Sequence, residues 1–402
     1  MAWTPLLSTA DGAPASSAHF GSQARRLIDE ILFTSPAPTP LCLSERALLE
    51  LYCNHGLNAL EYLDRSFDLL PNYELGPGLL GGLLQIGWIA AHILQSKSDG
   101  NLVGALSAVD DLLRESLAAR PEAFDLVSGL VGIGVYALER GPAASDILQD
   151  VVEALARGSV QDSGAIRWSR DLGGPSTCGM AHGNAGVIAF LSQAANIEPL
   201  AMELLRRGIR WFVVPPEGNE PARLRNVNPP NNMSQRCAWC GGNLGIASAL
   251  SQAGIATDNA AVTTLAYQLA LTSAADIDTS DGFAADASLC HGAAGAAHVL
   301  AALSSAAPRP GGPLSASALG WYGLLLKPPG RNLEGKFLTR RFGSTPPTWV
   351  PTSAFLDGST GVALALQAAV DLAEPDWDRI LLCRSRSPKG ILRPNGSPQP
   401  NR

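Results

Sequence analysis

The stretch CHGAAGAAHVLAAL, residues 290–303, decides how the rest of the chain is read. It sets a thiol and an imidazole directly ahead of a G-x-x-G turn and then continues in small and aliphatic residues, as a buried helix would. The same design returns as GGLLQIGWIAAHIL from Gly81, SGLVGIGVYALER from Ser128, HGNAGVIAFLSQA from His182, GGNLGIASALSQA from Gly241 and DGSTGVALALQAAV from Asp357. Five of the six segments carry G-x-x-G; in the first, Gln85 stands where the second glycine belongs.

Taking the second glycine position as a marker gives 85, 132, 186, 245, 295 and 361, in steps of 47, 54, 59, 50 and 66 residues. Each step holds two helices with their connections, the signature of a helical repeat. Polar-faced stretches at 105–119, 146–157 and 199–211 supply outer helices between the apolar inner ones. The pattern predicts an all-α chain in which inner helix, loop, outer helix and return succeed one another around a ring. The first glycine is expected to adopt a turn conformation that a side chain would strain, and the second to let neighbouring inner helices approach. Residues 215–236, 307–317 and 342–353 read as loops at the ring's mouth, and 211–214 as the best strand. Residues 1–21 and 386–402 read as flexible ends of a ring domain over 22–385.

Composition agrees. A chain of 402 residues with 46% hydrophobic, 16% charged and 6% aromatic residues suits a large helical core of Ala, Leu and Gly and excludes a disordered or fibrous chain. The net charge of −7 without a dense basic cluster argues against a nucleic-acid partner. Seven cysteines, an odd number scattered along the chain, make no disulfide framework. The first twenty residues lack the basic start and unbroken apolar stretch of a secretion signal, and no apolar run is long enough for a membrane span. The expected setting is cytoplasmic and reducing, where thiols serve as ligands or catalysts.

The chemistry sits just ahead of the glycines. Counted back from the markers, His182 and His291 both fall at minus four, with Ser128 and Asp357; Cys240 and Cys290 fall at minus five, and Asp125 at minus seven. In a closed ring such equivalent positions gather at one end of the axis. Cys240, Cys290 and His291 then form a two-sulfur, one-nitrogen set of the kind zinc prefers, with three protein ligands and a fourth position left for water or substrate. Other readings exist. Cys237-x-x-Cys240 could be half a zinc ribbon or a redox pair, but no second C-x-x-C follows. Cys290 and His291 taken alone read as core residues. His182 could be a ligand, although the set is complete without it, and acid/base work suits it better. Cys42, Cys53, Cys178, Cys383 and His298 read as packing residues.

The pieces FDLVSGLVGIGVYALER, AHGNAG, R-x-x-WCGG-x-x-GI, CHGAAG and DGSTGVALAL resemble the lanthionine synthetase C-like family, the lanthipeptide cyclases, from about residue 79 to 382. The resemblance implies an α,α-toroid, a double ring of inner and outer helices with six to seven repeats. It implies one Zn2+ on Cys240, Cys290 and His291, an acid/base histidine at His182, a functional aspartate at Asp125, and an arginine and a tryptophan ahead of the zinc cysteine at Arg236 and Trp239.

The implied reaction closes (methyl)lanthionine rings by Michael addition of a peptide cysteine thiol to dehydroalanine or dehydrobutyrine. Zinc would hold the sulfur as thiolate, His182 would help remove the thiol proton and protonate the enolate, Asp125 would orient His182 or act in its own right, and Arg236 would stabilise the enolate oxygen. The implied partners are a dehydrated precursor peptide with its leader, and a dehydratase and exporter in a complex peripheral to the inner membrane face. Two departures stand out: Gly241 follows the zinc cysteine where some members carry tyrosine, and no small inserted domain is visible to hold a leader. The alternatives are a non-catalytic zinc scaffold that binds glutathione or a peptide thiol, a prenyltransferase-like zinc enzyme, which the low aromatic content disfavours, and a toroid glycosidase on Asp125 and Asp357, which leaves the thiols unexplained.

Overall fold

The computed structural model describes residues 3–7, 15–53, 56–97, 99–119, 121, 123–169, 178–218, 220–224, 237–274, 287–307, 312–326, 337–341 and 348–385. Seven helices form an inner ring: α2 (Pro40–Tyr52), α4 (Leu83–Leu94), α6 (Leu130–Arg140), α8 (Asn184–Ala194), α10 (Asn243–Ala256), α12 (Ala293–Ala306) and α14 (Ser359–Val370). Each packs on the next, and α14 packs on α2, so the ring closes. Most are apolar on every face because neighbours, outer helices and the ring interior cover them all round.

Seven outer helices cover the inner ring: α3 (Gly56–Leu69), α5 (Gly100–Ala118), α7 (Ser145–Arg157), α9 (Pro199–Phe212), α11 (Ala260–Ala274) and α13 (Pro313–Leu325) each lean on the inner helix before them. The seventh, α1 (Ala15–Phe33), packs on α14, so the start of the chain completes its last repeat. Helix α7 shows why these helices lie outside: Ile147, Leu148, Val151, Val152 and Leu155 make one buried stripe, each aliphatic side chain contributing about 1.5–3 kcal/mol on burial, while Asp146, Asp150 and Arg157 face water. The fold is an all-α toroid, with seven helix pairs among the described residues, the upper end of the expected range. The repeat missed in the sequence is the one on α2, which starts from Thr39 and Pro40 instead of paired glycines: the Thr39 hydroxyl accepts the Cys42 N–H.

The glycines work differently from expectation. The N-cap glycines Gly82, Gly129, Gly183, Gly242, Gly292 and Gly358 have φ between −98 and −141°, extended backbone that any residue adopts. Space decides instead, since a Cβ at Gly82, Gly129 or Gly358 would meet backbone atoms at under 3.0 Å. At Gly132, Gly186, Gly245, Gly295 and Gly361 the obstructing atom is the carbonyl oxygen six residues earlier, on Leu126, Met180, Trp239, Leu289 and Phe355. The paired glycines therefore let each turn fold down onto the first turn of its own helix. Side chains of neighbouring turns, Leu79 on Gly132 and Met180 on Gly245, take up the remaining room.

Among the described residues, strands are confined to three short antiparallel hairpins: β1 (Val160–Asp162) with β2 (Ala165–Arg167), β3 (Val213–Val214) with β4 (Arg223–Leu224), and β5 (Leu338–Arg341) with β6 (Thr348–Pro351). All three lie between an outer helix and the next inner one. The strand expected at 211–214 is halved, because Trp211 and Phe212 end α9. The loop expected at 307–317 is shortened, because Gly312 and Pro313 start α13. Trp3 and Leu7 are buried, with Trp3 Nε1 donating to the Ala368 carbonyl and the Leu7 N–H to that of Ala369, both at 2.7 Å. Ordered packing thus appears ahead of residue 22, while 386–402 lie outside the described residues. No described helix is long and apolar enough to cross a membrane.

Candidate metal centre

The turns ahead of the inner helices are tied to one another by backbone hydrogen bonds. Leu79 and Leu80 donate to the Val127 carbonyl, Leu126 to Ala181, Ala181 to Cys240, Trp239 and Cys240 to Cys290, and Leu289 and Cys290 to Leu356. This belt runs around one end of the ring and holds the minus-four and minus-five positions in register.

It brings Cys240, Cys290 and His291 together: their ligand atoms all lie within 4.8 Å of one another, and the three residues are half-buried. A hydrogen bond from the Cys290 thiol, joined by His291, holds the Cys240 thiol well below its ordinary range against the opposing effect of burial. Two thiols, that of Cys240 of lowered basicity, beside an imidazole fit a zinc ion by the chemistry of the donor set. Cys237 is not part of it. Its thiol is buried and donates to the Ser273 carbonyl at 2.9 Å, outside the three-residue group.

His182 stands one turn along the belt, its backbone neighbour Ala181 bonded to the Cys240 carbonyl at 3.0 Å. Its side chain is 58% exposed, and Nδ1 lies 3.5 Å from Asp125 Oδ1. Asp125 is fully buried, and the same oxygen accepts the N–H groups of Val127 at 2.9 Å and Ser128 at 3.0 Å. The carboxylate is therefore fixed by the turn that carries it, and the imidazole rests on it from the open side.

The Trp239 indole is buried behind Cys240 and donates to the Leu381 carbonyl at 2.9 Å. Arg236 lies outside the described residues. His298, read as a packing residue, is buried and pairs with Asp378 at 2.9 Å.

Two features escaped the sequence reading. Glu45 on α2 is buried next to Asp357 and Gln85, with no motif around it. The segment after α14 enters the ring and meets polar side chains seven places beyond the markers: Glu139 (132 + 7), Gln193 (186 + 7) and Gln252 (245 + 7). That recurring polar layer inside apolar helices was the available signal.

The sequence profile of the family described as lanthionine synthetase C-like protein matches residues 47–382. Among solved structures, nisin cyclase is similar in fold, with a TM-score of 0.63 at 18% identity over 91% of this chain and 98% of its own. No curated protein matches the sequence.

Proposed function

This chain belongs to the lanthionine synthetase C-like family, and on that premise we propose that it is a zinc-dependent lanthipeptide cyclase. Its substrate is a dehydrated precursor peptide, and its product carries (methyl)lanthionine thioether rings. The observation that carries this reading is the Ala181 N–H bonded to the Cys240 carbonyl, which sets the turn of an exposed imidazole against the turn of a three-ligand cluster.

Cys240, Cys290 and His291 would hold a zinc ion, which would supply Lewis-acid chemistry that acidifies a substrate thiol. The remaining work falls to the protein. His182 takes up the thiol proton and returns one to the α-carbon after the sulfur has added to the β-carbon. Asp125 keeps the imidazole turned so that its Nδ1 edge faces the wall and the rest of the ring faces the mouth. Its two backbone N–H bonds hold the carboxyl group in place for that purpose. The exposed setting of Gly241, where an added Cβ would meet nothing within 4 Å, leaves room for a peptide beside Cys240.

The test incubates the purified protein with dehydrated precursor and counts alkylatable thiols. Loss of free thiols at unchanged peptide mass supports the cyclase. Thiols that bind tightly yet stay alkylatable would instead support a non-catalytic scaffold for peptide thiols or glutathione. The peptide's leader, a dehydratase and an exporter are its proposed partners at the inner membrane face.

A further inference from the structure

The chain after α14 does not return to the outer surface. A 3-10 helix over Asp376–Leu381 and the residues that follow it are buried, with Trp377, Asp378, Ile380 and Leu382 at 0% exposure. Their partners come from successive inner helices. Arg379 lies 3.6 Å from Glu139 on α6, Gln193 of α8 donates to the Arg384 carbonyl at 3.1 Å, and Asp378 pairs with His298 on α12. On α10, Ser248 donates to the Cys383 carbonyl at 2.9 Å and Gln252 to that of Leu382 at 2.7 Å. Helices around the ring share only its interior, so this segment occupies the axis.

Leu382 has φ of +53°, a left-handed conformation that costs a leucine free energy and persists only where its surroundings over-determine it. Gln252, the Asp378–Arg384 pair at 2.7 Å and the Arg384 guanidinium over Trp3 at 5.3 Å do so here. One residue before Leu382, the Leu381 carbonyl takes the Trp239 indole N–H. Trp239 is adjacent to the ligand Cys240, and both donate their backbone N–H to the carbonyl of the ligand Cys290.

We propose that the C-terminal segment Trp377–Arg384 is the floor of the metal centre, and that Trp239, gripped by Leu381, is a positioning residue that sets the orientation of Cys240. The inference rests on the zinc reading above and adds a part of the chain to it.

The test uses the full-length protein loaded with cobalt(II), whose thiolate bands report ligand geometry, and follows loss of metal to a chelator. Trp239→Phe keeps an aromatic ring but removes the N–H; Asp378→Asn loosens the floor at a distance. Both are expected to shift the thiolate-to-cobalt band and release metal about tenfold faster than wild type, as loss of a partner behind a ligand does. Leu63→Ala, a cavity in outer helix α3, serves as a control that lowers the melting temperature without moving the band. If Asp378→Asn fails to fold, Trp239→Phe decides. Wild-type bands and release rates in Trp239→Phe overturn the positioning role and leave the zinc site standing, whereas a wild-type protein that takes up neither cobalt nor zinc overturns both.

Discussion

Glu45 of α2 accepts the side-chain amide of Gln85 at 2.8 Å, and Gln85 Oε1 accepts the N–H of Gly81, also at 2.8 Å. Glu45 also takes a backbone hydrogen bond from Phe355, in the turn ahead of α14. The pair thus spans the one gap in the belt, where α2 has no glycine turn to offer, and explains why Gln85 replaces the marker glycine. Gln85→Gly, which restores the repeat pattern, is expected to destabilise the protein by about 1–3 kcal/mol through an unsatisfied buried carboxyl. The urea midpoint measures this, and a stabilised variant would mean that the bridge has no such role.

Burial pushes the Glu45 carboxyl up from 4.5 to about 7, with nearby Asp357 adding to the shift and the hydrogen bonds from Gln85 and Phe355 opposing it. The folded chain therefore keeps a proton that the unfolded chain loses. Stability contributed by Glu45 is full below pH 4.5 and is lost as pH rises from about 4.5 to about 7. Glu45→Gln should flatten that part of the stability profile. An unchanged slope in the variant would assign the effect to other groups.

His182→Ala is expected to keep its metal and lose about 10²–10⁴-fold in the rate of ring closure. Asp125→Asn should lower the rate less, because the turn keeps an acceptor for Val127 and Ser128 while the charge beside the imidazole is gone. Single-turnover thiol loss gives both rates, and a His182→Ala protein at wild-type speed would remove the histidine from the reaction.

Gly295→Ala presses a methyl group onto the Leu289 carbonyl, one residue from Cys290. The expected cost is about 1–3 kcal/mol of overpacking, together with weaker zinc retention, because the ligand's own turn must move. Thermal unfolding and elemental analysis read the two effects separately. The outcome that contradicts the steric account is an unchanged melting temperature.

Thiol reactivity should be ordered along the chain. In protein stripped of metal, iodoacetamide at pH 6.5 is expected to modify Cys240 well before Cys178 or Cys53, which burial pushes up to about 11 and about 12. Added zinc should protect Cys240. Peptide mapping by mass spectrometry follows each site, and early modification of Cys53 would contradict the burial that raises it.

Most of the ring was legible because its physics is local. A glycine is needed wherever a turn lies on the first turn of its own helix, so Gly186, Gly245 and Gly295 recur with the fold and mark it. Thiols and imidazoles in one register must meet when the ring closes, which is why spacing alone could assemble Cys240, Cys290 and His291. The α2 repeat was not legible, since Thr39 and Pro40 begin a helix as well as glycine does and leave no periodic trace.

By its own pattern the sequence determined an all-α ring and the three residues offered to a metal. Tertiary structure alone decided how the ring is sealed and what stands behind the ligands. Glu45 meets Gln85, and Trp239 meets Leu381, 142 positions away, only after the helices have closed into a circle. Such contacts join side chains of unrelated motifs across the interior, where packing geometry and the need to satisfy every buried polar group choose the partners.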